Sequence, residues 1–141
     1  MTAKEYLEQY RIMQTRINVL IAEIERLRAE AESVSIDLDD MPKGSASNDK
    51  TERLIAQMVD YESTLQSEMS GLWIRRMKIV AELGRLKNHK HQQILHLRYI
   101  DCKSWEHIAV EMGITWRHCY RLHGSALNEF DTMMHTGIRD A

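Results

Sequence analysis

Apolar residues recur in a seven-residue cycle along the first part of this chain, and that recurrence limits the fold more than any other feature. Tyr6, Tyr10, Met13, Ile17, Leu20, Ile24, Leu27 and Ala31 alternate spacings of four and three. Such spacing lines up side chains on one stripe of a helix, which must be buried against another helix. Glu23, Arg26, Arg28 and Glu30 lie beside the stripe. The pattern predicts a helix from about residue 3 to about residue 32, roughly 45 Å long. Ile12 and Ile21 fall off the stripe and widen the apolar face, so the helix is expected to meet more than one neighbour.

A second stripe follows: Leu54, Met58, Tyr61, Leu65, Met69, Leu72, Arg76, Ile79, Leu83 and Leu86. Two spacings of four meet at Leu65, a stutter that would relax a supercoil there. Asp49 with Glu52 resembles a capping box, which places the start of this helix at Asp49. Gly84 weakens its end by only about 1 kcal/mol relative to Ala, so the helix is expected to reach Leu86 and to exit at Asn88 and the Lys/His cluster around it. Between the two helices, residues 33–48 carry Pro42 and Gly44 among Ser, Asp and Asn, and are expected to form a loop. This loop either folds back through Val34, Ile36, Leu38 and Met41 or is mobile.

Two long helices with matching stripes predict an all-α fold, a long antiparallel coiled-coil hairpin over residues 1–88. The stripes can pair only with each other, or hairpins can pair between chains into a dimer or higher homo-oligomer. The off-stripe apolar residues and the small area that two helices bury favour the second.

The chain has 141 residues, one Pro, six Gly and two Cys, a composition that suits helices. It has no apolar run of about 18 residues, so no membrane span is expected, and its first residues lack the apolar stretch of a secretory signal. Cys102 and Cys119 are too few for a disulfide framework, which points to a reducing, cytoplasmic setting. The net charge of −2 is unevenly spread. Residues 1–83 hold 11 Lys/Arg against 15 Asp/Glu, whereas residues 84–125 hold 7 against 3. Six of the seven histidines lie in that basic stretch. One end of the chain is thus suited to a polyanion. A net charge of +4 is modest, so a single copy should bind DNA weakly at physiological salt.

The basic stretch contains a pattern that suits a helix-turn-helix. Ser104 can cap a first helix, Ile108 and Met112 share one face, and Ala109 is small where a second helix must cross. Gly113 can take the positive φ of a tight turn. Ile114 then fills the angle between the helices, and Thr115 can cap the second. Cys119 and Leu122 supply that helix's inward face. Its outward face is left with Trp116, Arg117, Tyr120 and Arg121, which can reach base edges or phosphates. Arg117 and Arg121 are the leading candidates, followed by Thr115, His118 and Tyr120. Arg98, Lys103 and Ser104 are candidates for phosphate contact. A short helix with Ile94, Leu95, Leu97, Arg98 and Tyr99 completes the core of a domain over 89–131, with Trp105 as packing. The last helix continues through Ala126, Leu127 and Phe130, and residues 132–141 are expected to form a frayed tail.

Leu95, Leu97, Arg98 and Tyr99, then a turn, then Ile108-Ala109 and Gly113-Ile114, resemble the promoter-reading region four of bacterial sigma factors. More broadly, the chain resembles small phage and prophage proteins of Gram-positive hosts, related to ArpU/RinA-type late-gene regulators. The matching residues are Tyr6-Leu7, Tyr10-Arg11, Met41-Pro42-Lys43-Gly44, Asp49-Lys50, Trp105, His118, Tyr120-Arg121-Leu122-His123 and Ala126-Leu127. The resemblance covers nearly the whole chain. It implies a phage-encoded, sequence-specific DNA-binding regulator of transcription with double-stranded DNA as partner. Two positions depart from the pattern: Trp116 stands where a polar residue is usual, and Cys119 where an aliphatic is usual. Trp116 can contact a thymine methyl, stack, or be buried against a partner.

Other chemistries find little in the sequence. His89, His91, His96, His107, His118 and His123 with Cys102 and Cys119 are zinc-ligand types, but no Cys-x-x-Cys or His-x3-His spacing occurs. The histidines fit better as partial, pH-dependent positive charge near DNA. Asp37, Asp39 and Asp40 resemble the start of a calcium loop, but Pro42 and Asn48 stand at its glycine and glutamate positions. No nucleophile elbow, phosphate-cradling loop or carboxylate pair supports catalysis, so no enzyme, cofactor or metal is expected. Two other functions suit the same pattern. One is a DNA-packaging recognition subunit like phage small terminases. The other is a coiled-coil adaptor that binds RNA polymerase without reading DNA.

Overall fold

A computed structural model describes the backbone of residues 1–39 and 45–139 and the side chains of residues 1–34 and 49–136. The fold is all-α. Its helices are α1 (Ala3–Asp39), α2 (Ser45–Leu83), α3 (His89–Leu95), α4 (Trp105–Met112) and α5 (Trp116–Arg139), and α3 runs on as a π-helical turn over His96–Ile100. Among the described residues, no helix is long and apolar enough to cross a membrane. The chain divides into two compact units, one of residues 14–71 and one of residues 1–13 with 72–141.

In the unit of residues 14–71, α1 and α2 run antiparallel, with Arg16 beside Glu68 and Arg28 beside Glu62, each at 3.7 Å. Ile17, Ile24, Leu27 and Leu54 are buried, and Leu20, Ala31, Met58 and Leu65 are half-buried. The stripe of α1 is therefore the buried one. On α2 the stutter expected at Leu65 moves further along the helix, because Glu68 and not Met69 takes the stripe position. Met69 is 50% exposed, whereas the Glu68 side chain is only 25% exposed. Leu65, Glu68 and Leu72 keep the three–four alternation because a carboxylate at the edge of the stripe has Arg16 to face.

Both long helices overrun the loop expected over 33–48, since α1 continues to Asp39 and α2 begins at Ser45. Ser33 to Asp39 contains neither Pro nor Gly, so nothing in it stops a helix. Asp49 accordingly lies inside α2 rather than capping it, and its carbonyl accepts a bond from Arg53. Pro42 and Gly44, and the side chains of Ile36, Asp37, Leu38, Asp39, Asp40 and Met41, lie outside the described residues.

The other unit begins with a reciprocal capping box, in which the Thr2 hydroxyl accepts from the Glu5 N–H and the Glu5 carboxylate accepts from the Thr2 N–H. Its core joins Leu7 and Tyr10 of α1 and Ile79 and Leu83 of α2 to Ile94, Leu95, Tyr99, Ile100, Ile108, Cys119, Ala126 and Phe130. A division at residue 88 is thus replaced by one that crosses both long helices, because Tyr6, Leu7 and Tyr10 share a core with Phe130 of α5. Tyr6 stacks on Phe130 at 6.0 Å and donates to Glu82 at 2.6 Å.

Helix α2 ends at Leu83, short of Leu86, and Gly84 lies in the turn that follows. Asn88 begins a helix instead of closing one: its side chain accepts from the N–H groups of Lys90 and His91. Glu129 of α5 braces this connection, accepting from the Lys87 N–H at 3.0 Å and meeting His91 at 2.7 Å. The hydrogen bond with His91 lowers the Glu129 pKa. The tail expected to fray from Thr132 is helical to Arg139, held by Met133 and Met134 packed against the core.

Candidate nucleic-acid interface

Helices α4 and α5 are joined by a turn whose geometry follows from its residues. The Ser104 hydroxyl caps α4 by accepting from the His107 N–H at 3.2 Å, and Gly113 ends it at φ 65°, ψ 37°. Only glycine adopts that conformation without strain. A Cβ at Gly113 would meet nothing within 4 Å, so backbone conformation alone requires the glycine. The Ile114 N–H returns to the Ala109 carbonyl at 3.0 Å. The Thr115 hydroxyl then caps α5, accepting from the His118 N–H at 3.2 Å.

The first turns of α5 are two-faced. Cys119, His123, Ala126 and Phe130 are buried, at spacings of four, three and four that keep one helical face inward. Trp116, Arg117, His118, Tyr120 and Arg121 are all exposed, with Trp116 at 46% and Tyr120 at 54%. The structure thus brings these five expected residues to one surface at the start of a helix. Their rings and cationic groups can stack and donate hydrogen bonds to an anionic polymer.

Arg98 is placed differently. Its guanidinium lies 4.4 Å over the Trp105 ring and donates to the Lys103 carbonyl at 3.0 Å. It therefore clamps the loop before α4 instead of reaching outward, and burial lowers its pKa. Within that loop Cys102 takes φ 55°, and the Lys103 N–H bonds to the Leu97 carbonyl at 2.9 Å. Lys103 is half-buried and Ser104 exposed.

Behind the exposed face, Trp105 lies 5.8 Å from the Tyr120 ring and 4.6 Å, edge-on, from His123. Trp116 continues the series at 5.5 Å from Tyr120. His123 meets the Tyr99 hydroxyl at 2.8 Å. Burial, reinforced by the positive charges of Lys4 and Arg98, pushes the His123 pKa down to about 4. Burial also pushes Tyr99 up to about 12. A protonated phenol donating to a neutral imidazole satisfies both shifts. Burial raises the thiols of Cys102 and Cys119 as well, keeping them protonated.

The model of the family described as "Protein of unknown function (DUF722)" matches residues 4–132. The chain belongs to the DUF722 family. No curated protein and no solved structure matches it. The matched span of this DUF722 chain takes in the α4–α5 turn and the exposed face of α5.

Sequence reasoning placed Trp105 as packing but missed His123 as the support beneath that face. The spacing of His123 from Cys119 and Ala126 was the available signal, since it puts the histidine on the inward side. Other histidines of the basic stretch are engaged with carboxylates: His91 with Glu129, His96 with Asp101 and His107 with Glu111. Among the described residues, no three His, Cys, Asp or Glu side chains converge as a metal site.

Proposed function

We propose that this DUF722 chain is a phage-encoded, sequence-specific regulator of transcription. It works in the cytoplasm of the bacterial host and reads double-stranded DNA with the first turns of α5. The observation that carries this reading is the exposed Trp116, Arg117, His118, Tyr120 and Arg121 surface on a helix capped by Thr115 after a left-handed glycine. Arg117 and Arg121 contact base edges or phosphates, and Lys103 and Ser104 lie on the loop side for phosphate contact. Several heads joined in a homo-oligomer compensate for the modest charge of each. The reading assigns no catalytic step, cofactor or metal.

Arg117→Ala and Arg121→Ala should each weaken specific binding by about 1–3 kcal/mol in a gel-shift titration. Binding that neither substitution changes would reject α5 as the reading helix.

The exposed rings of Trp116 and Tyr120 also suit a protein surface such as RNA polymerase. That adaptor reading predicts a slope of log affinity against log salt near zero, whereas phosphate contacts give a steep negative slope. A packaging subunit like the small terminases would instead assemble into a large ring.

A further inference from the structure

The outer face of the last turns of α2 is apolar and open to solvent. Trp73 is 62% exposed, Ile74 70%, Met77 60% and Val80 38%, and Ala81 and Gly84 are exposed beside them. Positions 73/74, 77, 80/81 and 84 form a second seven-residue stripe, opposite the one that carries buried Ile79, Leu83 and Leu86. No charged residue interrupts it. Arg75 turns aside to Gln9 at 3.2 Å and Glu82 to Tyr6 at 2.6 Å.

The four large side chains leave roughly 450 Å² of apolar surface in water, in the middle of the range for the largest, often functional, patch of a typical monomer. It is also more than half of the roughly 800 Å² per partner in a standard interface.

We infer that this face is a twofold dimer interface between two copies of the chain, with α2 packed antiparallel on α2 of the partner. The pattern is self-complementary about Met77. An axis there sets Trp73 beside Ala81 of the partner subunit and Ile74 beside Val80 of the partner subunit. The largest side chain thus meets one of the smallest, and Met77 meets its own counterpart. A twofold requires one patch to fit itself, and this stripe does. Methionine at the axis adapts readily to such close packing. This deepens the oligomer part of the function proposed above and does not depend on DNA reading.

Sedimentation equilibrium of the full chain without DNA tests the inference. The wild type should be a dimer that persists in about 0.5 M NaCl, since its contacts are apolar. Trp73→Glu with Met77→Glu should raise the dimer dissociation constant at least ~100-fold. Val110→Glu should leave the dimer intact, because Val110 is an exposed apolar residue of α4, 83% exposed and off the stripe. If circular dichroism shows that the double variant loses helix, Trp73→Ala replaces it and should weaken dimerisation at least ~10-fold. A wild type monomeric at about 100 µM, a larger ring, or a dimer unchanged by these α2 substitutions would overturn the inference. DNA binding by a monomer would leave the proposed function standing, and a dimer that ignores DNA would leave the interface standing.

Discussion

The two compact units are held by different physics, although both long helices run through each. Residues 14–71 place buried Ile17, Ile24, Leu27 and Leu54 along one seam, bordered by ion pairs at 3.7 Å. The other unit closes around fully buried Leu7, Ile79, Ile94, Leu95, Ile108, Ala126 and Phe130 from five helices. A seam distributes its stability along its length, whereas a closed core concentrates it in a few side chains. Phe130 is the sharpest place to break this contrast. Phe130→Ala should cost about 3–5 kcal/mol, because the ring has no exposed surface and stacks on Tyr6. Trp73, Trp105 and Trp116 all lie in the same unit as Phe130. Tryptophan fluorescence during urea unfolding therefore reads that unit directly. A loss below about 1 kcal/mol would mean that the core can close over the cavity.

The closed unit also differs in being pH-sensitive from within. His123 is held neutral between Tyr99 and Trp105, with its pKa lowered from 6.5 to about 4. The unfolded chain binds a proton there between those values and the folded chain does not. The stabilisation is therefore complete above about pH 6.5 and is lost as pH falls toward 4. Its full size is up to about 3 kcal/mol. His123→Gln keeps an acceptor for the Tyr99 hydroxyl without titrating in this range. The stability difference between wild type and variant, from urea midpoints, should shift against the wild type by that amount between pH 7 and pH 4. A constant difference would show that His123 is as free to protonate when folded as when unfolded.

The same contrast explains what was legible in the sequence. Seven-residue spacing announced the burial of Ile17, Ile24 and Leu27 because a seam is a local, repeating code. It also led to Met69 rather than Glu68, since periodicity ranks an apolar side chain above a carboxylate with a cation opposite. The α4–α5 turn was readable from Ser104, Gly113 and Thr115, each of whose roles is set by a partner within four residues of it. The closed core was not. Nothing in Tyr6 or Tyr10 tells that these positions join the core that holds Phe130, because heptad spacing says that a residue is buried but not by what. Arg98 failed as an outward contact for the same reason. Its ring partner Trp105 is seven positions on, across a loop with Cys102 in a left-handed conformation.

The smallest effect sharpens the comparison from the other side. Arg16 and Glu68 meet at 3.7 Å with the arginine side chain 65% exposed. A pair so open to water should show a coupling of only about 0.5 kcal/mol in a double-mutant cycle, falling further in high salt. Glu68 occupies a stripe position that an apolar residue would fill more stably, so its value lies in register. Sliding α2 by one residue would bring Met69 to the seam and take the carboxylate away from Arg16. A measured coupling above about 1.5 kcal/mol, as expected of a desolvated pair, would overturn this account. The seam would then rest on buried charge, as well as on the apolar stripe that its spacing announces.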